Sequence, residues 1–342
     1  MFIDPHVHCR DEEQSAKETI AHALHVAERA GFTAIFDMPN TARPVSTPER
    51  VKERLAISDR VNSPVWYGLY MALTADPEQV KRAVETQRKI DQVVGFKLYA
   101  GHSVGNIGVI NEADQVRVYE TLAREGYKGV VVVHCEKESA MKKDFDPTYP
   151  ITHAYSRPGH AEVQSLGDQL RFAKAANYAG TLHVAHISMP QSVEVVCSEK
   201  ELDVTCGATI HHLLLDWDRL LDRQGTILKM NPPLRTPKDR EALFDQLKSA
   251  QIDWIETDHA PHRLEEKLNP PYMSGITGLQ KYPKFIQYLS RNGFSERLIE
   301  DITFNNINRT FGLELEPREC LPELHLESEY EFDPYQGTGV LE

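Results

Sequence analysis

Short apolar runs alternate with longer amphipathic segments along the whole chain. Runs rich in β-branched and other apolar residues are typical of strands, whereas apolar residues that recur every three or four positions indicate helices. Strands are predicted at residues 2–9, 33–38, 65–72, 93–99, 129–135, 182–187, 203–206 and 253–257. Helices are predicted at residues 15–30, 48–58, 77–89, 112–125, 162–179, 191–199, 238–249 and 281–291. Eight strand-then-helix units predict an α/β fold, a (β/α)₈ barrel of the TIM type.

Glycines, a long loop and a C-terminal stretch lie between or after these strand-helix units. Three glycines lie between a helical segment and a strand, where glycine readily takes the left-handed conformation that ends a helix: Gly31, Gly126 and Gly180. The irregular stretch 217–233 is predicted to form a long loop over the barrel mouth, with a short hairpin inside it. Residues 316–342 are acidic and aperiodic, which indicates a surface strap or partial disorder. We therefore expect a barrel at residues 1–315, a C-terminal extension at 316–342, and little or no accessory β-sandwich.

Composition narrows the class of protein. The chain has 342 residues, with 38 Lys and Arg against 51 Asp and Glu, a formal net charge of −13 at pH 7. This acidity argues against a nucleic-acid-binding surface. No apolar run reaches the roughly 18 residues that a membrane helix needs, and the N-terminus does not resemble a signal peptide. The five cysteines are scattered, as in reduced proteins. We expect a cytoplasmic protein without nucleic-acid or membrane partners, and the sequence leaves open whether it forms a homo-oligomer.

Side chains that bind metals gather near the ends of predicted strands. In a parallel barrel these ends form one rim, where functional groups meet. Six such residues stand there: His6, His8, Lys97, His134, His186 and Asp258. His6 and His8 are two positions apart and share a face of their strand, although alone they would equally fit a pair of core histidines. Together, the imidazoles and the carboxylate are typical ligands of zinc and similar ions.

Lys97 is the unusual member of this group, because an ammonium at the end of a buried apolar strand is costly and repels cations. Burial lowers the pKa of a lysine, and the neutral amine can then add carbon dioxide. The resulting carbamate is an anionic oxygen ligand that can bridge two metal ions. The alternative is an ion pair between Lys97 and an acid such as Asp4 or Asp258. The surrounding histidines favour the bridge.

Seven short runs occur in this order along the chain: DPHVHCRD, MPNT, GFKLYAG, VHCE, HVAHIS, NPPLR and TDHAPH. In order and separation they resemble the cyclic amidohydrolases of the amidohydrolase superfamily, and most closely the dihydroorotases. The resemblance extends from residue 1 to about residue 313. It implies two divalent metal ions, expected to be Zn²⁺, bridged by a carboxylated lysine. The implied ligands are His6, His8, Lys97 and Asp258 for one ion, and Lys97, His134 and His186 for the other.

The same resemblance implies a set of substrate-binding residues. Arg10, Asn40 and His262 are expected at the carboxylate of the substrate, and Asn231 is expected at its pyrimidine ring. An arginine fork suits a carboxylate, because it can donate two parallel hydrogen bonds. Alternatively, Arg10 is a surface arginine paired with one of the two acidic residues that follow it. Asn40 is alternatively a turn residue, because asparagine favours turns.

The implied reaction is the reversible hydrolysis of (S)-dihydroorotate to N-carbamoyl-L-aspartate, a step of de novo pyrimidine (UMP) biosynthesis. A hydroxide that bridges the metals is expected to attack the cyclic amide, with Asp258 as the catalytic base and acid. The alternatives are a hydantoinase, dihydropyrimidinase or allantoinase, or a non-catalytic dihydroorotase-like scaffold. Arg10 favours a dihydroorotase, because the ring substrates of the other enzymes carry no carboxylate at this place. The Gly-rich segment 100–106 is a candidate for a loop that closes over substrate.

Overall fold

The computed structural model describes residues 1–102, 106–221, 223–337, 339 and 341. Within them, eight parallel strands follow one another around a barrel in chain order. The strands are β1 (Phe2–Val7), β2 (Phe32–Asp37), β3 (Trp66–Ala72), β4 (Val93–Ala100), β5 (Val130–Cys135), β6 (Thr181–Val184), β7 (Asp203–Thr209) and β8 (Trp254–Glu256). A parallel bridge between Val7 and His259 brings the two edges of the sheet together. The predicted (β/α)₈ barrel is confirmed.

Helices surround this sheet. They are α1 (Ile20–Arg29), α2 (Pro48–Val61), α3 (Pro77–Gln87), α4 (Glu112–Arg124), α5 (Thr152–Ser156), α6 (Gly159–Ala175), α7 (Pro190–Ser198), α8 (Ile210–Leu214), α9 (Pro237–Lys248), α10 (Leu264–Leu268), α11 (Tyr282–Arg291), α12 (Glu296–Glu300) and α13 (Asn306–Phe311). Each helix that the sequence predicts is present, and except for the start of the first one its ends agree to within a few residues. The short helices α5, α8 and α10 lie in the loops that follow strands, where the sequence pattern has no helical period.

Local sequence explains where several helices begin. The side chain of Thr47 accepts a hydrogen bond from the Arg50 amide, and Pro48 occupies the first helical position of α2. Thr236 and Asp239 form a reciprocal capping box at the start of α9. Such caps form hydrogen bonds with first-turn amide groups that have no acceptor inside the helix. Proline is tolerated at the first helical position because an amide there would make no hydrogen bond within the helix.

The start of the first predicted helix is wrong. The sequence pattern places it at residue 15, but α1 begins at Ile20, because Thr19 has an extended backbone and its side chain accepts from the His22 amide. A short 3₁₀ turn, Glu12–Gln14, precedes it.

Of the three glycines, Gly31 and Gly126 have the predicted left-handed conformation, with φ of 88° and 65°. The prediction for Gly180 is wrong. Helix α6 ends at Ala175, and the left-handed residue is Asn177, with φ of 53°. Asparagine tolerates this conformation better than most residues, so glycine is not needed here.

One end of the barrel is filled by apolar side chains. Trp66, Val130 and Trp254 are the first residues of β3, β5 and β8, and they belong to one apolar cluster. Phe311 of α13 packs against Trp254, with 6.0 Å between ring centroids, and edge-on against Phe36 at 5.2 Å. Burial of this cluster stabilises the barrel and leaves the carboxyl ends of the strands for polar groups.

Two predictions concern loops over the barrel mouth. The described part of 217–233 holds no hairpin. It forms 3₁₀ turns at Trp217–Leu220 and Arg223–Leu228, and Asp216 caps the first of them by accepting from the Asp218 amide. That local hydrogen bond favours a helical turn over a strand. In the Gly-rich segment 100–106, residues 103–105 lie outside the described residues.

The described part of residues 316–342 runs along the barrel surface. The amide of Glu323 donates to the carbonyl oxygen of Arg29 at 2.8 Å, and Leu326 and Tyr335 are buried. Among the described residues, the eight-stranded sheet is the only sheet, so they contain no accessory β-sandwich. Helices in the described part of the chain lack the combination of length and apolarity needed to span a bilayer.

Candidate metal and substrate site

His6 and His8 meet Asp258, which lies just beyond β8. The Nε2 atoms of His8 and His6 lie 2.9 Å and 3.4 Å from Asp258 Oδ1. Burial lowers the pKa of His6 to about 4 and also lowers the pKa of His8. Burial alone would raise the pKa of Asp258, but the hydrogen bond with His8 and the proximity of His6 hold it below its ordinary value. Two neutral imidazoles and a carboxylate are therefore turned toward one point, as a cation requires.

His134 and His186 form a second group beside the first. His134 Nδ1 lies 3.1 Å from His186 Nε2, and the rings of His186 and His6 are 5.0 Å apart between centroids. On its other side, His134 Nε2 lies 2.9 Å from a carboxylate oxygen of Glu136, which also pairs with Arg157. A histidine that donates one ring proton to a carboxylate presents the lone pair of its other nitrogen, which is the usual arrangement of a metal-binding imidazole.

Lys97 lies in β4, beside the strand β5 that carries His134, and is fully buried. Its Nζ has no hydrogen-bond partner among the described residues. Burial lowers its pKa to about 8, although Glu256 and Asp258 act in the opposite direction. The alternative in which Lys97 pairs with Asp4 or Asp258 is not observed, because the first carboxyl binds Thr257 and the second binds His8.

A single cavity of about 330 Å³ joins both groups to the substrate residues that the sequence predicts. It is lined by all ten of them: His6, His8, Arg10, Asn40, Lys97, His134, His186, Asn231, Asp258 and His262. These residues come from points as far apart in the sequence as the first strand and the loop after the last. The barrel therefore places every predicted site residue on one surface.

Arg10 is a buried residue, so it is not the surface arginine of the alternative interpretation. Its Nε donates to the carbonyl oxygen of Pro261 at 3.2 Å, and one Nη lies 3.1 Å from His262 Nε2. Burial lowers the pKa of His262, and the neighbouring Arg10 and Lys17 lower it further. A neutral histidine beside a guanidinium can accept or donate without adding a second charge.

The two asparagines have contacts that the sequence does not predict. Asn40 Oδ1 lies 2.8 Å from His8 Nδ1, which fixes the orientation of the His8 ring. Asn231 Oδ1 lies 3.0 Å from Nε2 of His153, a buried histidine for which the motifs indicate no role. Both asparagines also line the cavity. Each amide has further donors and acceptors beyond its contact with a histidine, and these can bind a substrate.

Comparison with known proteins identifies the family. No protein-family model matches the chain. A dihydroorotase from Lactiplantibacillus plantarum is 35% identical over 291 residues, which cover 82% of this chain and 64% of the relative. A dihydroorotase from Halobacterium salinarum is 32% identical over 321 residues, which cover 92% of this chain and 72% of the relative. This chain belongs to the dihydroorotase family. It spans less than two thirds of the length of the first of these relatives.

Solved structures agree with this family in fold. An L-hydantoinase (dihydropyrimidinase) from Arthrobacter aurescens has a TM-score of 0.79 at 23% identity, and the match covers 92% of this chain and 71% of that one. A dihydroorotase from Saccharomyces cerevisiae, in complex with 5-fluoroorotic acid, has a TM-score of 0.74 at 17% identity, covering 92% and 84%. Identities this low establish a shared fold alone.

In this member of the dihydroorotase family, Glu256 is a buried carboxylate that the sequence interpretation missed. It lies 3.3 Å from His183 Nε2 and 3.6 Å from His6 Nδ1, and it also accepts from the His186 amide. Burial opposes its charge, but His6 and His183 hold its pKa below its ordinary value. The signal was present in the sequence, since Glu256 lies near the end of the strand predicted at residues 253–257, two residues before Asp258.

Gly207 in β7 makes room for Glu256. A Cβ at position 207 would lie 2.8 Å from the carboxyl carbon of Glu256 and 3.0 and 3.1 Å from its oxygens. We expect Gly207→Ala to cost about 2 kcal/mol in the free energy of unfolding, because overpacking a filled interior forces side chains to shift. Because the displaced carboxylate lies beside His6 and accepts from the His186 amide, we also expect weaker metal retention.

The matched control is Gly167→Ala in α6, where a Cβ would have no neighbour within 4 Å. An alanine inside a helix should stabilise the protein by about 0.5 kcal/mol. Denaturant unfolding and metal analysis of both variants test the prediction. Equal stability and equal metal content of the two would contradict it.

Three of the site residues have strained backbones. Arg10, His186 and Asp258 have φ of 47°, 39° and 46°, a left-handed conformation that is unfavourable for residues with a side chain. Such strain persists only where surrounding contacts hold it, and it concentrates at functional sites. For Arg10, one such contact is the hydrogen bond from Arg54 Nη1 to its carbonyl oxygen, at 2.6 Å.

Proposed function

We propose that this protein is a dihydroorotase, which catalyses the reversible hydrolysis of (S)-dihydroorotate to N-carbamoyl-L-aspartate in pyrimidine biosynthesis. The observation that carries the proposal is the buried Arg10 guanidinium, which lines the same cavity as the histidine and Asp258 cluster. Dihydroorotate has a ring amide to be hydrolysed and a carboxylate on the same ring. The cavity offers a site for each, and membership of the dihydroorotase family supports the same substrate.

We assign two divalent cations, expected to be Zn²⁺, to this site. The donor set fits them: imidazoles converge from two sides, and the buried Lys97 Nζ lacks a hydrogen-bond partner among the described residues. His6, His8 and Asp258 would hold one ion and His134 and His186 the other, with a carboxylated Lys97 between them. When bound, the ions act as Lewis acids toward the ring carbonyl and water.

Carboxylation of Lys97 accounts for its otherwise unfavourable environment. The neutral amine adds carbon dioxide, a new N–C bond forms, and one proton is released to solvent. Burial favours this step, because it lowers the pKa of the amine to about 8 and so increases the neutral fraction. The negative carbamate suits a pair of cations, whereas an ammonium would repel them.

The protein's own groups then handle the proton and the substrate. In hydrolysis, Asp258 accepts a proton from the attacking water and delivers it to the departing ring nitrogen. Its lowered pKa keeps the carboxylate ready to accept. Arg10 and His262, which line the same cavity as Asp258, hold the substrate carboxylate and so fix the position of the ring amide. Asn40 orients His8, and Asn231 is assigned to the pyrimidine ring.

The test is turnover of dihydroorotate, hydantoin and allantoin by purified protein, together with metal analysis. We expect turnover of dihydroorotate alone and about two equivalents of zinc. Turnover of hydantoin or allantoin alone would point instead to another cyclic amidohydrolase. Absence of both metal and turnover would favour a non-catalytic scaffold.

Arg10→Lys gives a more specific prediction. Lysine offers a single charged group in place of a planar fork, so a bidentate contact with the substrate carboxylate is lost. We expect kcat/KM for dihydroorotate to fall about 100-fold, equivalent to roughly 3 kcal/mol. Arg43→Lys is the control, because Arg43 is half exposed and pairs with surface acids. If Arg10→Lys lowered only the melting temperature and left kcat/KM unchanged, Arg10 would not bind the substrate.

A further inference from the structure

The C-terminal segment 326–335 reaches the back of the proposed active site through Tyr330. The hydroxyl of Tyr330 donates to Glu18 Oε1 at 2.8 Å and lies 3.2 Å from His259 Nε2. The other oxygen of Glu18 lies 3.0 Å from the same nitrogen. Glu18 and His259 are buried, and neither they nor Tyr330 line the cavity described above.

The protons in this triad can be assigned from its hydrogen bonds. His259 Nδ1 accepts from the amide of Gly278 at 3.0 Å, so Nε2 is the ring nitrogen that carries a proton and donates it to Glu18. Burial opposes the charge of Glu18, yet its contacts with His259, His22 and Tyr330 hold its pKa at about 2. The carboxylate is thus charged, and hydrogen bonds with all three side chains fix it in place.

The backbone of His259 supports two of the proposed metal ligands. Its carbonyl oxygen accepts a hydrogen bond from the His8 amide at 2.7 Å. Its amide donates to Thr257 Oγ1 at 3.0 Å. His259 directly follows Asp258, whose backbone is left-handed with a φ of 46°. Anchoring the His259 ring therefore restrains both His8 and the strained Asp258 peptide.

Tyr330 is itself held in place by the segment around it. Lys281 pairs with Asp333 at 2.6 Å and with Glu327 at 3.0 Å, and Lys284 pairs with Glu327 at 2.7 Å. Leu326 is fully buried. These contacts lie on both sides of Tyr330, so the segment presents the phenol to Glu18 and His259 in a fixed position.

We propose that Tyr330, through Glu18 and His259, is a positioning residue for the His8 and Asp258 half of the site. The C-terminal extension is then part of the catalytic apparatus rather than a surface cover alone. The phenol does not contact the cavity, so it acts on the geometry of the ligands and not on the substrate. The activity readout rests on the proposed dihydroorotase function, but retention of metal does not.

The experiment compares Tyr330→Phe with Tyr335→Phe in the metal-loaded protein. Tyr335 is a buried tyrosine of the same segment whose hydroxyl has no hydrogen-bond partner among the described residues. Both variants lose one oxygen atom and keep the ring. For Tyr330→Phe we expect metal release to a chelator to accelerate, and kcat for dihydroorotate to fall, each at least about fivefold. KM should stay within about twofold, because substrate contacts are untouched. Tyr335→Phe should match the wild type.

A second variant separates a loss of positioning from a loss of stability. Glu18→Gln keeps the shape of the side chain but removes the charge that holds His259, so faster metal release is expected from it as well. If both Tyr330→Phe and Glu18→Gln lowered only the melting temperature, with kcat and metal release equal to those of Tyr335→Phe, the positioning role would be wrong. Absence of dihydroorotate turnover in the wild type would contradict the proposed function and leave the metal-release comparison decisive for Tyr330.

Discussion

Asp258→Asn is expected to abolish turnover of dihydroorotate and of N-carbamoyl-L-aspartate while most of the metal stays bound. An amide cannot take a proton from water and return it to a ring nitrogen, so the loss should be at least about 1,000-fold in kcat. The neutral oxygen of asparagine can still act as a weak ligand, and five other side chains remain for the two ions. Rates in both directions, measured beside metal analysis, test this prediction.

The control for this variant is Asp4→Asn, another isosteric change of a buried carboxyl in the barrel. Burial raises the pKa of Asp4 to about 8, so this group is largely protonated at pH 7. One of its oxygens accepts from the amides of His6 and Thr257 at 3.2 and 3.1 Å, and the other lies 2.5 Å from Thr257 Oγ1. Asparagine can reproduce these contacts, so Asp4→Asn should keep most of the activity. Substantial turnover by Asp258→Asn would reject its catalytic role.

Lys97→Met is expected to have opposite effects on function and on the stability of the metal-free protein. Methionine cannot form a carbamate, so we expect loss of the metal pair and a fall in kcat of at least about 1,000-fold. Without metal, however, the wild type buries an ammonium that has no hydrogen-bond partner in the described chain. Methionine is apolar and of similar length, so its burial should stabilise the metal-free protein by up to about 3 kcal/mol at pH 7.

The pH dependence follows from the pKa of about 8 for Lys97 in the folded state, against an ordinary value of 10.5. Between these values the unfolded chain binds more protons than the folded one, so wild-type stability should rise with pH. The extra stability that Lys97→Met gives the metal-free protein should therefore be greatest below pH 8 and disappear toward pH 10.5. Denaturant unfolding of both metal-free proteins across this range would show it. If the two proteins differed by the same free energy of unfolding at every pH, the lowered pKa assigned to Lys97 would be wrong.

Lys267→Met provides the contrast for this prediction. Lys267 is also fully buried, but its Nζ donates to the carbonyl oxygens of Lys229, Met273 and Gly275 at 2.7 to 2.8 Å. Methionine would leave three acceptors without a donor, so we expect a loss of at least about 2 kcal/mol. The same substitution should therefore stabilise at one buried lysine and destabilise at the other. Equal effects would mean that Lys97 is not the unpaired ammonium described above.

Much of the site was predictable because the barrel imposes a simple rule on the sequence. Residues that end parallel strands meet at one rim, so His6, His134 and Asp258 can be grouped from the positions of the predicted strands. The period of two in a strand places His8 beside His6. Glu256 obeys the same rule, because it lies one residue before the end of the strand predicted at 253–257. The six residues of the predicted metal site all line the cavity, as this rule requires, whereas Arg10, Asn40, Asn231 and His262 were predicted from the family resemblance.

Contacts between distant segments were not predictable, because no local pattern encodes them. Nothing in the aperiodic tail indicates that Tyr330 reaches Glu18 and His259. The pairing of Asn40 with His8 depends on the conformation of the loop after β2. In the described part of 217–233, a 3₁₀ turn capped by Asp216 forms in place of the expected hairpin. These features depend on side-chain geometry in three dimensions.

The sequence by itself determined the barrel, its functional rim and the chemical types gathered there, because strand and helix periods and strand-end positions are local properties of the chain. Only the tertiary structure decided that Lys97 lacks a hydrogen-bond partner among the described residues, that Arg10 is buried beside His262, and that Glu256 occupies the space left by Gly207. Burial and pairing are properties of the packed molecule, and they set whether a buried charge is stable, reactive or available to a ligand.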